Sequence, residues 1–169
     1  IATGVHGTGI KHPSISSLVK DVSIVTADKT LIQAAKTPDI LEAARLNLGL
    51  LGIIVDVTFN VVPRFHLHEH HWKEKIEELI KKVDILVAEN DHFEFFWNPI
   101  DDMAYAKTLN PHDGPTDSLP DQKGQYVDWA HIVFPSERNE RHTEMEYSVP
   151  VDEGLACFQK IRSLILKGN

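Results

Sequence analysis

The stretch "LGLLGIIVDVTFNVVP" (residues 48–63) decides how the first third of the chain is read. Ile54, Val57 and Phe59 belong to a run too apolar for a surface edge, so the spacing predicts a strand inside a sheet. Pro63 has no backbone donor and ends it. Just upstream, "TPDILEAARLNLG" (37–49) reads as a helix. Thr37 suits the N-cap, Pro38 the first helical position and Gly49 the close. Ile40, Leu41, Ala44 and Leu48 give that helix an apolar face. Earlier still, Leu18, Val22, Ile24 and Ile32 fall in β-rich stretches, with "ADKT" (27–30) as the turn between two strands. Residues 1–63 therefore read as two strands, a helix and a strand.

From residue 64 onward the pattern changes. "RFHLHEHH" (64–71) reads as a strand and "HWKEKIEELIKKVDILVAE" (71–89) as an amphipathic helix with Trp72, Ile76, Leu79, Ile80 and Val83 on one side. "HFEFFWNPI" (92–100) alternates, with Phe93, Phe95 and Trp97 on one face and Glu94 and Phe96 on the other. "DMAYAKTL" (102–109) reads as its partner, and 110–125 as a loop rich in Pro, Gly and Asp. "YVDWAHIVFP" (126–135) and "RHTEMEYSVPV" (141–151) read as two further strands. "DEGLACFQKIRSLILKG" (152–168) closes as a helix with Leu155, Phe158, Ile161 and Ile165 inward. The whole has the order of an α+β sheet covered on one side.

The 169 residues suit one ordinary domain or two small pieces, and 42% apolar with 25% charged residues is a globular composition. A formal net charge of −8 argues against a nucleic-acid partner, which requires a basic face. The one cysteine, Cys157, rules out a disulfide within the chain and fits a reducing compartment; the cytoplasm is favoured, and membrane association of a longer parent stays open. No apolar run is long enough to span a bilayer as a helix, and the first residues have no signal-peptide pattern.

Four groups of residues have chemical potential. The start, "IATGVHGTGIKH", places glycines at 4, 7 and 9 around His6 and Thr8; this is not the dinucleotide-binding glycine order, and a surface turn is the stronger reading of it alone. His66, His68 and His70 would share one face of a strand, where imidazoles at that spacing can bind zinc or copper, although a polar strand edge is the commoner outcome. In "RHTEMEYSVP" a strand would place Glu144 and Glu146 on one face, where two carboxylates need solvent, a cation or a function. The stripe Phe93, Phe95 and Trp97 reads as core rather than as the wall of a ligand site.

Taken together, "ATGVHGTG", "IVTADKTL", "LGLLGIIVDVTFNVVP", "HFEFFWNPIDD" and "EMEYSVP", in this order, resemble the sugar-lactone oxidase family. That family, which includes L-gulonolactone and D-arabinono-1,4-lactone oxidases, lies within the vanillyl-alcohol-oxidase (VAO) type of flavoprotein. The resemblance covers nearly the whole chain. It implies that 1–63 is the C-terminal part of a VAO/PCMH-type FAD-binding domain. Residues 64–169 would be part of an α+β cap domain with an antiparallel sheet. Family members are more than twice as long, with another FAD subdomain before and a H-W-x-K-type motif after, so the chain is expected to be an internal fragment.

The resemblance also implies site residues. The loop matching Thr3, Gly4, His6, Gly7, Thr8 and Gly9 would pack against the flavin and its pyrophosphate, and Gly52, Ile53 and Ile54 would pass the cofactor with their backbone groups. Glycines remove the Cβ that would block backbone donors, and Thr8 adds a hydroxyl. Glu144 and Glu146 would face the substrate as the catalytic pair. Some relatives have Glu-x-Arg there; a second Glu cannot stabilise a developing alkoxide or reduced flavin as Arg does. The implied chemistry is oxidation of a secondary alcohol of an aldonolactone, with hydride passing to flavin N5 and then electrons to oxygen or another acceptor. The implied partners are a small sugar lactone and that acceptor. Two alternatives stay open: a related FAD enzyme acting on a polyol or hydroxy acid, and a non-catalytic metal module on His66, His68, His70 and His71.

Overall fold

The computed structural model describes residues 1, 3–115, 123–135, 141, 143 and 145–168. The chain divides into two compact units, Ile1–Arg64 and Phe65–Asn169.

In the first unit, β1 (Val19–Val25) pairs antiparallel with β2 (Leu31–Gln33) on one side and β3 (Ile53–Phe59) on the other. The β1–β2 turn closes with the Thr26 and Thr30 backbones 3.0 Å apart, and Lys29 takes a left-handed φ of 68°. The Thr26 hydroxyl donates to Asp28 and holds that carboxyl below its ordinary pKa. Thus the "ADKT" turn stands where the sequence places it.

Helix α1 (Pro38–Ala44) starts at Thr37 with Pro38 in its first turn. The Thr37 side chain makes no capping bond, and its carbonyl accepts from Ile40 and Leu41 instead. Ile40, Leu41, Ala44, Ile54 and Val57 pack with Val19, Val22 and Ile24 to form the core of this unit. The helix closes through Asn47, which donates to the Ala44 carbonyl and accepts from the Gly49 amide. Leu48 and Gly49 are both left-handed there, and Leu48 turns outward rather than joining the apolar face. Arg45 donates to the Val19 carbonyl at 2.9 Å and pins the helix end to β1.

β3 departs from expectation. Among the described residues it is an edge strand, not an interior one. Ile54 and Val57 face the core, while Ile53 and Val55 are 72% and 56% exposed. A run apolar on both faces calls for cover on both, and the described residues supply it on one.

In the second unit the strand order is β5-β6-β4-β7, all antiparallel: β4 (His66–Lys75), β5 (His92–Asn98), β6 (Met103–His112) and β7 (Gln125–Trp129). β4 runs on to Lys75, so Trp72 is a strand residue opposite Ala106, and the expected single helix is replaced by α2 (Ile76–Ile80) and α3 (Val83–Glu89). β6 extends through Pro111 to His112, shortening the expected loop. β7 stops at Trp129 and α4 (Ala130–Val133) follows, where a strand was expected.

The side chains of Phe93, Phe95 and Trp97 pack with Ile76, Leu79, Ala104 and Ala106, as the alternation requires. Phe158 of α5 (Gly154–Gly168) meets Phe95 and Trp97 edge-on. Leu155 and Phe158 are half-buried, whereas Ile161 and Ile165 are exposed, so only the first half of the expected inward stripe is covered. Arg162 fastens α5 through Asp102 and Glu77, and Asp102 also accepts from the Trp97 indole at 2.8 Å. The Arg162 guanidinium holds the Asp102 carboxyl below its ordinary pKa.

The strand expected at 141–151 is not formed at its described residues. Its described residues, 141, 143 and 145–150, are irregular, and Met145 and Tyr147 are 81% and 79% exposed with no ladder partner to order their alternation.

Candidate functional site

The glycine loop is anchored at its base. Gly4 donates to the Ile1 carbonyl, Ile15 to the Val5 carbonyl, and Ile1 itself packs on the first unit's core. Gly4 and Gly9 take φ of 80° and 113°, which only glycine adopts without strain. Thr3, His6 and Gly7 are exposed, and Thr8 and Gly9 are half-buried. The His6 ring bonds its neighbour's carbonyl, His6 Nδ1 lying 2.9 Å from the Gly7 oxygen. A Cβ placed on Gly7 would meet nothing within 4 Å, so this part of the backbone lies open to a bulky group. An open, glycine-shaped backbone on a rigid base fits a phosphate-bearing cofactor such as FAD.

Gly52 has a different reason to be glycine. Its φ is 134°, and a Cβ there would lie 2.3 Å from the Val25 carbonyl oxygen. The missing side chain admits β1, not a ligand. Gly52 and Ile53 nevertheless line a shallow cleft of about 390 Å³ together with Val25–Ala27 and Gly49–Leu51. Ile54 turns toward the core, and none of residues 3–9 lines this cleft.

Of the two carboxylates, Glu144 lies outside the described residues. Glu146 is exposed and not on a strand, so the shared strand face expected for the pair is not formed at Glu146.

The histidines of β4 do face one way, but each has a separate neighbour. His66 lies against Trp129 with ring centroids 3.9 Å apart, and His70 stacks on Trp72 at 4.9 Å. His68 Nε2 is 3.0 Å from Gln125 Oε1. Burial, with His68 and His71 nearby, lowers the His70 pKa and favours its neutral form. His71 is on the opposite face, with Nδ1 3.1 Å from Glu69 Oε1. His66, His68 and His70 do not gather three donor atoms at one point.

The opposite face of the second sheet holds what the sequence reading missed. His71, Lys73, Phe96, Tyr105 and Lys107 line a concavity of about 640 Å³. Lys73 is 2.8 Å from Asp101 and Lys107 is 2.6 Å from Glu94. The signal was present: Glu94 and Phe96 alternate away from the core. Their companions Tyr105 and Lys107 become visible only when the β5–β6 register is known.

Residues 57–130 match the family model described as D-arabinono-1,4-lactone oxidase. An L-gulono-1,4-lactone dehydrogenase of Mycobacterium tuberculosis is 31% identical, in an alignment covering 97% of this chain and 47% of that protein. The chain belongs to the sugar-lactone oxidase family. Within this family of FAD-dependent oxidoreductases, L-gulonolactone oxidase of Mus musculus is 35% identical over 59% of the chain and 23% of its own length. The chain thus spans about half the length of the mycobacterial relative. A solved cholesterol oxidase from Brevibacterium sterolicum shares the fold at a TM-score of 0.52 and 19% identity, over 70% of this chain and 28% of that one. Among the described residues, no helix is long and apolar enough to cross a membrane.

Proposed function

We propose that the chain is the middle part of an FAD-dependent enzyme that oxidises a secondary alcohol of an aldonolactone. The alignment with lactone oxidoreductases along nearly its whole length carries this reading. In it, residues 1–63 close one side of the flavin site and residues 64–169 form part of the substrate-side cap. FAD, when bound, accepts the hydride at N5 and hands electrons to oxygen or another acceptor. The chain's part is to bind and orient. Backbone donors at Gly7 and Gly9, with the Thr8 hydroxyl, meet the pyrophosphate, supported by the open side of Gly7. Thr3, Gly4 and His6 shape that loop, and Gly52, Ile53 and Ile54 offer backbone and apolar surface beside the rings. Glu144 and Glu146 accept the substrate hydroxyls as the catalytic pair, positioning the reacting carbon and taking the hydroxyl proton on a carboxylate oxygen. We place the protein in a reducing compartment, the cytoplasm, on its single cysteine.

A related substrate, a polyol or hydroxy acid, is the second reading, because the family resemblance sets Glu146 at a position where an Arg is expected in some relatives. A substrate panel on the longer parent protein separates the two. Bleaching of the flavin by aldonolactones supports the first; bleaching by a hydroxy acid or polyol and by no lactone overturns it. The chain alone, mixed with FAD, is expected to show no lactone-dependent flavin reduction.

A further inference from the structure

One end of the β4–β6 ladder carries imidazoles on both strands. His66 and His68 share one face of β4, and His112 of β6 is opposite His66, so the three stand on the same face of the sheet. All three residues are half-buried. The His68 and His112 rings approach across the diagonal, with centroids 6.5 Å apart and planes at 62°. Two imidazoles on one zinc ion, with Zn–N bonds of about 2.0–2.1 Å, hold their ring centroids about 5–6.5 Å apart, so this pair already stands near a chelating separation. The residues directly opposite on this face are uncharged: Asn110 and Val127 beside His68, and Trp129 beside His66. His68 Nε2 is 3.0 Å from Gln125 Oε1, and the His66 ring lies 3.9 Å from that of Trp129. These contacts keep the donor atoms apart, and a neutral hydrogen bond and a ring contact are weak beside metal–nitrogen bonds.

We propose that His66, His68 and His112 bind a divalent transition-metal ion of the zinc type, drawn together on it by rotation of their rings. Neutral imidazoles are ligands for zinc, copper and nickel, whereas calcium and magnesium require oxygen donors, which none of the three supplies. Three imidazoles leave the fourth position of a tetrahedral ion to water. The next imidazole along, His70, stacks on Trp72 and is opposite Thr108 rather than His112, and His71 belongs to the other face of β4. The ligand set is therefore a cross-strand one, and the sequence run in β4 supplies only two of its members. Its consequence is structural. His66 and His112 are a terminal pair of the β4–β6 ladder, so an ion held there clamps the two strands where their pairing ends. The inference requires neither FAD nor the activity proposed above.

The test is a titration of the metal-free, ¹⁵N-labelled chain with zinc chloride, read by calorimetry and by NMR of the histidine ring nitrogens. The ring nitrogens of His66, His68 and His112 are expected to shift together while those of His71 stay in place. His68→Ala and His112→Ala are each expected to weaken zinc at least about tenfold, His66→Ala about fivefold or more, and His71→Ala less than about twofold. Because His66 and His68 also touch Trp129 and Gln125, His66→Gln and His68→Gln accompany the alanine variants; they keep a polar side chain without the imidazole and are expected to lose zinc likewise. Zinc should also raise the urea midpoint of the wild type and leave that of His112→Ala unmoved. No saturation at about 1 mM zinc overturns the proposal. So do undiminished affinity in His68→Ala or His112→Ala, and shifts confined to other imidazoles. The ring-nitrogen readout on the wild type stands without any variant, and none of these measurements depends on flavin reduction in the parent.

Discussion

β3 and β4 are both rich in residues that could face either way, and the two sheets treat them differently. β3 sits at the edge of three strands, buries Ile54 and Val57, and leaves Ile53 and Val55 exposed. β4 lies between β6 and β7, buries Leu67 completely, and has acidic partners for Lys73 and His71. The first sheet therefore depends on one covered face and on tight backbone packing. The second is held by α2, α3 and α5 over one face and, on the other, by α4 over Leu67 and Leu109, by ion pairs and by a register fixed on two sides. Apolarity alone does not say whether a strand is central; the number of partners does.

The largest effect should come from the second unit's core. Leu79 is fully buried among Ile76, Ala104 and Ala106, and Leu79→Ala is expected to cost about 2–5 kcal/mol in chemical denaturation. A loss below about 1 kcal/mol would show that the helices cover the sheet only loosely. Gly52→Ala comes next, at about 2–3 kcal/mol, because it combines a φ of 134° with a Cβ 2.3 Å from the Val25 oxygen. Hydrogen exchange should quicken in β1 and β3 while β4 and β6 keep their protection; equal loss in both would merge the two sheets into one cooperative unit.

Arg162→Ala should cost least, about 1–2 kcal/mol, since the Arg162–Asp102 pair is partly solvated. Asp102 has a folded pKa below its unfolded value, so its contribution is present above the unfolded value of about 3.8 and disappears as pH falls through the folded one. Urea melts should separate wild type from Arg162→Ala at pH 7 and bring them together as the solution is acidified through the lowered folded pKa of Asp102. A difference that persists in acid would assign the effect to lost packing of the arginine stem.

Much of this was legible in the sequence, for identifiable reasons. The alternation in "HFEFFWN" located the core face of β5 because period two has no rival reading there. Thr37 and Pro38 located the start of α1. "HHWKEK" misled, because Lys and Glu favour helices and Trp72 stands four residues before Ile76; pairing with β6 kept it extended. The edge position of β3 was not legible, since sequence does not count neighbours. Nor were the paired side chains on the open face, which need the register of three strands at once. The role of Gly52 was half legible: glycine was noticed, but the close approach of Val25 explains it.

Gly124 has a left-handed φ of 85°, and its missing Cβ lets it sit against the His71 carbonyl, with the His71 amide bonded to its own oxygen at 2.8 Å. This makes it a frame marker for the sheet. A one-residue insertion into β4 before His71 would be read out of phase on the N-terminal side of the insertion, sending imidazoles to the open face and Leu67 away from its core. An insertion beyond the strand's end would leave the phase untouched. The sheet, in other words, has a reading frame, and Gly124 is one of the points where it is set.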